Sequence, residues 1–324
     1  MDGKDKVVVV TGGAGFIGSH TVDHLLQLGC RVVVLDNFRT GSRSNLSFLS
    51  HYDRTRLRVQ ESNVADGLWP VLSDVERDWG KVNAMIHLAA QTSVVYSMSN
   101  PIDDVRNTYT TTAQVLEYAR DKGVEKVVFA SSAATYGDVH VESVDESLRP
   151  APMSPYGIHK LSSELLMQVY SQVHKIATCP LRFFNVYGPR QDPRSPYAGV
   201  ISLFVERALR GDSLSIFGDG EQTRDFVYVG DVARALSLAC LSNQGNGEPV
   251  NIGTGKTVTI NQLASLIREL CDSSSEIIHL EERPGEIRHS CANVERAREQ
   301  LSFSAETDVR DGLRETIEWF KASR

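Results

Sequence analysis

The stretch VVVVTGGAGFIGSH, residues 7–20, decides the fold: four valines run straight into three glycines spaced by three, Gly12, Gly15 and Gly18. A continuous β-branched run marks a strand buried on both faces, as in a parallel sheet. Glycines at this spacing suit a tight strand-to-helix turn. The first permits the turn, the second lets backbone approach a pyrophosphate, and the third lets the new helix pack closely on the strand. The helix that opens there turns its N-terminal amides toward phosphate charge. A glycine triplet alone is a weak signal, because any tight turn can use one. Here it follows a strand, opens a helical pattern, and is followed by a second strand ending in LDN, with Asp36 eighteen residues beyond Gly18. A carboxylate at that place accepts hydrogen bonds from ribose hydroxyls and repels a 2′-phosphate, which favours NAD over NADP. Arg39 and Arg43 lie close by and weigh against that preference.

Outward from this stretch, short apolar runs recur at RVVVL (31–35), LRVQ (57–60), AMIHLAA (84–90), KVVFASS (126–132) and TCPLRFF (178–184). Between most of them lie helix-length amphipathic segments, among them 19–28, 102–122 and 156–174. The alternation predicts an α/β fold: a doubly wound parallel Rossmann sheet, with ligands at the carboxyl ends of its strands. Residues 1–180 are expected to form this dinucleotide-binding domain. Residues 181–324, which open with the loop-rich YGPRQDPRSPYAG, are expected to form mainly a smaller mixed α/β substrate-binding lobe, with segments returning to the sheet.

The 324 residues allow one or two cores. With 41% hydrophobic and 23% charged residues and no apolar run near the roughly 20 residues of a membrane span, the composition is that of a soluble protein without a membrane partner. MDGKDK shows no apolar signal region, so a cytoplasmic location is expected. A net charge of −7 argues against a nucleic-acid partner. The five scattered cysteines lack metal-ligand spacing, and neither a disulfide framework nor a metal site is expected. GTGKT (253–257) looks like part of a phosphate loop, but the glycine such a loop needs five positions before Gly255 is Val250, so a strand-end turn is expected.

Two stretches carry chemistry. SSAATYG (131–137) ends a strand with Ser131 and Ser132, and SPYGIHK (154–160) sets Tyr156 four residues before Lys160, on one helical face. A Tyr-x-x-x-Lys pair alone is common, and a surface tyrosine with a solvated lysine would satisfy it. Its order in the chain argues for more: glycine turn, acidic strand end, serine strand end and Tyr/Lys helix all fall at one edge of a parallel sheet. Tyrosine ionises near pH 10, so a base working near neutrality needs a downward shift of roughly 3 units, or about 4 kcal/mol. The Lys160 ammonium and a positive nicotinamide ring are expected to supply it, with Ser132 orienting the reacting oxygen.

With these residues in place, the chain resembles the extended short-chain dehydrogenase/reductase family, and within it the nucleotide-sugar epimerases and dehydratases. The resemblance spans nearly the whole chain and rests on TGGAGFIGSH, LDN, IHLAA, SSAATYG, SPYGIHK, LRFFNVYGPRQ, GDGEQTRDFVYVGDVA, NIGTG and RPGE. It implies Ser132, Tyr156 and Lys160 as catalytic residues, the first two also touching substrate. It implies NAD contacts from Gly12, Gly15, Phe16, Ile17, Gly18, Asp36, Asn37, Leu88, Ala89, Asn107, Tyr156 and Lys160. Asn63 and Val64 stand where the family usually carries an Asp-hydrophobic pair at the adenine, so an amide replaces a carboxylate. Asn185, Arg224 and Arg283 would hold the sugar nucleotide, the arginines by their permanent charge. Dehydratase relatives carry an acid/base carboxylate pair just after the serine position and decarboxylases a glutamate; here Ala133 and Ala134 follow. What remains is a UDP-sugar 4-epimerase, with a UDP-uronic acid 4-epimerase as the alternative within enzymes and a non-catalytic NAD-binding protein outside them. Ungapped counting from Arg283 and Glu286 places Ser290 beside the sugar's C2 substituent, where a small residue leaves room for an acetamido group. Relatives pair two helices into a four-helix interface, so a homodimer is expected through Val105, Val115, Leu116, Leu161, Leu165, Leu166 and Val169.

Overall fold

All four valines of the opening run are buried, on alternate faces of one sheet. Val8 and Val10 meet Val32 and Val34 in one core, and Val7 and Val9 meet Val33 and Leu35 in the other. The computed structural model describes residues 3–52, 54–139, 141–193, 199–242, 245–282 and 287–323. The first half runs β1 (Val7–Thr11), α1 (Phe16–Gln27), β2 (Arg31–Asp36), β3 (Leu57–Glu61), α2 (Trp69–Trp79), β4 (Ala84–His87), α3 (Val94–Ser99), α4 (Pro101–Val105), α5 (Thr111–Lys122), β5 (Lys126–Ser132), α6 (Pro155–His174) and β6 (Ala177–Phe183). It continues through β7 (Asn185–Tyr187), α7 (Val200–Arg210), β8 (Leu214–Phe217), β9 (Thr223–Arg224), β10 (Phe226–Tyr228), α8 (Val229–Leu241) and β11 (Val250–Ile252). The chain ends with β12 (Val258–Thr259), α9 (Ile260–Leu270), β13 (Ile277–Leu280), β14 (His289–Ser290), α10 (Glu295–Leu301) and α11 (Val309–Ala322).

Seven parallel strands form the central sheet in the order β11-β6-β5-β4-β1-β2-β3. The order reverses between β1 and β4, and that switch opens a crevice above the carboxyl ends. Helices α1 and α8 cover one face through Leu25, Leu26, Val232 and Leu236; α2, α5 and α6 cover the other through Leu72, Val75, Val115, Leu116 and Met167. A separate core under β7, β8 and β10 gathers Tyr187, Ile216, Phe226, Leu263 and Leu313. Among the described residues no helix is long and apolar enough to cross a membrane, and Cys30, Cys179, Cys240, Cys271 and Cys291 are all free thiols.

The helix expected over 102–122 is interrupted. A π-helical turn over Arg106–Thr110 separates α4 from α5. The Thr111 and Thr112 hydroxyls both bond back to the Thr108 carbonyl, at 2.8 and 2.9 Å, and such back-bonding competes with the regular helical ladder. The expected pairing surface also changes. Val115 and Leu116 are fully buried against their own sheet, whereas the outward stripe of α6 is Ile158, Leu165, Val169 and Val173, beside Ile102 of α4.

Candidate active site

The glycine turn is a cradle that side chains would fill. A Cβ on Gly18 would sit 2.1 Å from the Gly12 carbonyl oxygen, so α1 can begin this close to β1 only with glycine there. Gly15 caps α1, and Phe16 and Ile17 form its first turn, with amides aimed over the crevice. Asp36 ends β2 and is buried; its carboxylate accepts the Ala14 amide at 2.9 Å and the Phe38 amide at 2.8 Å. Burial raises its pKa, and these two amide bonds oppose the rise. The acid is thereby locked between the glycine turn and the loop after β2, where a ribose is expected. Asn37 accepts the Arg39 amide at 3.1 Å. The nearby arginines are committed elsewhere: Arg39 to Asp103 at 2.8 Å and Arg43 to Glu61 at 2.7 Å. Leu88 and Ala89 follow β4, and Ala89 donates its amide to Thr11 Oγ1 at 3.2 Å.

The structure brings Ser132, Tyr156 and Lys160 together. Ser132 is the last residue of β5, and its hydroxyl accepts the Ala134 amide at 3.1 Å in a short turn, Ala133–Thr135. Ser154 caps α6 by accepting the Gly157 amide at 3.2 Å, Pro155 supplies the preset first helical residue, and Tyr156 comes next. A Cβ on Gly157 would lie 2.7 Å from the Ala134 carbonyl oxygen, so glycine lets the helix press onto the turn after Ser132. Lys160 is buried; its ammonium donates to the Ala130 carbonyl at 2.7 Å and stands 4.7 Å from the Phe129 ring centre and 5.7 Å from that of Tyr156.

The electrostatics differ from the expectation. Burial pushes the Tyr156 phenol up, hydrogen bonding from Ser132 eases it down, and the charge of Asp104 raises it further. Lys160 is pulled down to about 8 by burial, against the opposing charges of Asp104 and Glu164. The ammonium is directed at a backbone carbonyl, and burial dominates at the phenol. Beneath the pair, His87 is held neutral, near 3, by burial and by Lys160; it contacts Thr11 Oγ1 through Nδ1 at 2.8 Å, and its buried Nε2 has no partner among the described residues.

Three groups act here that the sequence reading did not single out. Glu164, one turn beyond Lys160, holds Arg182 of β6 through two bonds and accepts the Ser131 hydroxyl. Buried Asp104 and half-buried His159 form a second pair. Asp225 accepts the Thr254 amide at 2.8 Å, the Thr254 hydroxyl at 2.7 Å, the Gly255 amide at 3.0 Å and the Ala292 amide at 3.1 Å. GTGKT is thus the expected turn after a strand, and the anion in its amide nest is the chain's own carboxylate.

Of the remaining predicted residues, Asn185 begins β7 and donates to the Asp225 carbonyl at 3.3 Å. Arg224 of β9 and Ser290 of β14 are register partners, so counting along the chain has placed two substrate candidates side by side. Arg283 lies outside the described residues. Asn107 is turned to its own helix, donating to the Asp103 carbonyl at 2.8 Å and carboxylate at 3.0 Å. Asn63 caps a short turn by accepting the Ala65 amide, and Val64 beside it is buried. Among the described residues no group of three His, Cys, Asp or Glu side chains is placed to hold a metal ion.

The family model described as "NAD dependent epimerase/dehydratase family" matches residues 8–253. A curated relative from Methanocaldococcus jannaschii, named putative UDP-glucose 4-epimerase, is 38% identical over 316 residues, covering 97% of this chain and 98% of its own. One from Bacillus cytotoxicus, named UDP-N-acetyl-alpha-D-glucosaminuronate decarboxylase, is 33% identical over 328 residues, covering 98% of each. Among solved structures, UDP-N-acetylglucosamine 4-epimerase from Methanobrevibacter ruminantium, in complex with UDP-N-acetylmuramic acid, superposes with a TM-score of 0.91. It is 37% identical, and the match covers 99% of this chain and all of that one.

Proposed function

This chain belongs to the NAD dependent epimerase/dehydratase family, and from that premise we propose that it is a UDP-sugar 4-epimerase working with tightly bound NAD. The observation that carries the reading is the cluster of half-buried Ser132 and Tyr156 with buried Lys160 at the carboxyl edge of the sheet, the serine followed by two alanines. NAD, when bound, accepts a hydride from the sugar carbon and returns it. The glycine turn and Asp36 fit the pyrophosphate and ribose of that cofactor, and the commitment of Arg39 and Arg43 to carboxylates favours the form without a 2′-phosphate. Tyr156 takes the C4 hydroxyl proton and gives it back, Ser132 orients that oxygen, and Lys160 places positive charge below. Ala133 and Ala134 have nothing with which to remove water or assist loss of a carboxyl group, which separates this chain from dehydratase and decarboxylase relatives. Incubation with UDP-hexoses and UDP-uronic acids, followed by separation of the epimers, tests the reading; no inversion of any of them would overturn it.

The small Ser290 beside Arg224 supports activity on both UDP-GlcNAc/UDP-GalNAc and UDP-glucose/UDP-galactose. A pocket that merely has room does not exclude the smaller sugar, because filling a small apolar site is worth only about 1–3 kcal/mol. Ser290→Tyr is expected to lower kcat/KM for the acetylated pair by about tenfold, or 1.4 kcal/mol, and to leave the plain pair nearly unchanged. Equal losses on both pairs would remove Ser290 from this role.

The exposed stripe Ile158, Leu165, Val169 and Val173, with Ile102 beside it, fits a second copy of the chain better than water. The chain is therefore expected to be a homodimer, with α6 of each copy at the interface. Light scattering at micromolar concentration checks this: a dimer mass is the expected result and a monomer mass the contrary one.

A further inference from the structure

Asp225 stands between Arg224 of β9 and Phe226 of β10, and its side chain is fully buried. Oδ1 accepts the Thr254 amide and hydroxyl, and Oδ2 accepts the amides of Gly255 and Ala292. A buried carboxylate is kept where donors replace its water, and three of these four donors are backbone amides. The approach is close. A Cβ on Gly253 would lie 2.7 Å from Oδ2 and 2.7 Å from the Ala292 Cβ, so glycine lets the turn after β11 close over the acid.

The backbone of the same residue reaches the substrate candidates. Its carbonyl accepts the Asn185 amide at 3.0 Å and the Asn185 side chain at 3.3 Å, and its own amide donates to the Ser290 carbonyl at 2.9 Å. Arg224 precedes it in the chain and is the register partner of Ser290. Ala292, held by the carboxylate, lies two residues beyond Ser290. Asn185, Arg224 and Ser290 come from three strands, β7, β9 and β14, and one residue ties all three together. Among the described residues, none of its hydrogen bonds goes to the glycine turn, to Asp36 or to the helix of Tyr156.

We propose that Asp225 is a positioning residue for the sugar nucleotide: clamped in the nest of Thr254, Gly255 and Ala292, it fixes Asn185, Arg224 and Ser290 relative to one another. The inference rests on the epimerase reading, in which those three residues face the substrate. Groups that converge on a ligand from separate segments bind tightly only when they are held in place before it arrives. Asp225→Asn breaks that hold with almost no change of shape. An amide accepts on one side only, and whichever way it turns, its NH₂ group meets a backbone amide that is itself a donor.

The test measures UDP binding to the NAD-loaded protein by calorimetry, which gives the Kd and the number of sites separately. Asp225→Asn is expected to raise the Kd about tenfold while the NAD content stays at the parent level. Gly253→Ala, which presses on the same nest from its other side, is expected to move the Kd in the same direction and serves if the asparagine variant does not fold. Phe320→Leu, in the core under β10, takes part in none of these bonds. It is expected to lower thermal stability and keep the parent Kd, because a protein that is only less stable offers fewer folded sites of unchanged affinity. An unmoved Kd in the folded nest variants, or an equal rise in Phe320→Leu, overturns the proposal alone. No UDP binding by the parent protein would overturn the epimerase reading, and the proposal with it.

Discussion

Tyr156→Phe is expected to lower kcat/KM for whichever UDP-sugar the parent inverts by about 10³-fold or more, close to 4 kcal/mol of transition-state stabilisation, while NAD stays bound. The substitution removes one oxygen and keeps the ring. The Tyr156 amide still bonds Ser97, Lys160 still donates to the Ala130 carbonyl, and the Ser154 cap of α6 is untouched. What disappears is the hydroxyl proposed as the proton acceptor. Among the described groups around the sugar edge, Ser132 ionises too reluctantly to replace it, and His87 faces Thr11 from beneath. The check pairs initial rates with the NAD content of the purified variant. Activity within tenfold of the parent would show that another group takes the proton, and loss of NAD would show that the tyrosine is needed for the cofactor as well.

What could be read from the chain was local. The four valines, the glycine turn, Asp36 at a strand end and the Tyr156/Lys160 spacing on one helix each announce themselves within a few residues, because backbone geometry and helical periodicity are short-range. β5 spans Lys126–Ser132, the run read from the sequence. What escaped depends on partners far along the chain. Asp225 fills the amide nest of Thr254 and Gly255, and nothing in GTGKT shows that its anion comes from within the protein. Asp104 meets His159 across two helices. Val115 and Leu116 were misplaced for a related reason: periodicity shows that α5 is amphipathic, but not whether they face their own sheet or a second copy, whereas Leu165 and Val169 of α6 are exposed. The break at Arg106–Thr110 came from threonine hydroxyls competing for backbone carbonyls, which a count of apolar spacing does not register.

Glu164→Ala is expected to destabilise the fold by about 3–5 kcal/mol, the range found when one partner of a buried ion pair is removed. Arg182 donates to Glu164 through Nε at 2.9 Å and Nη2 at 2.6 Å, and both side chains are nearly inaccessible to water. Its guanidinium lies 4.5 Å from the Tyr136 ring centre, and its third nitrogen, Nη1, is buried with no hydrogen-bond partner among the described residues of the parent protein. Once the glutamate is gone, Arg182 is left without a carboxylate partner among the described residues, with the Tyr136 side chain beside it. Ser131 loses its acceptor at the same stroke. Because Glu164 joins α6 to β5 and β6, the same change should loosen the approach of Tyr156 to Ser132 and lower kcat in the fraction that stays folded. The cost belongs to the unpaired charge more than to any strength of the pair, so replacing both residues by Met should cost less than half as much. Denaturant unfolding of the parent, Glu164→Ala and the double variant separates the two contributions. A loss below about 1 kcal/mol in the single variant would mean that water or a neighbouring carbonyl reaches Arg182. A double variant as unstable as the single one would mean that the pair itself, and not its orphaned half, holds α6 to the sheet.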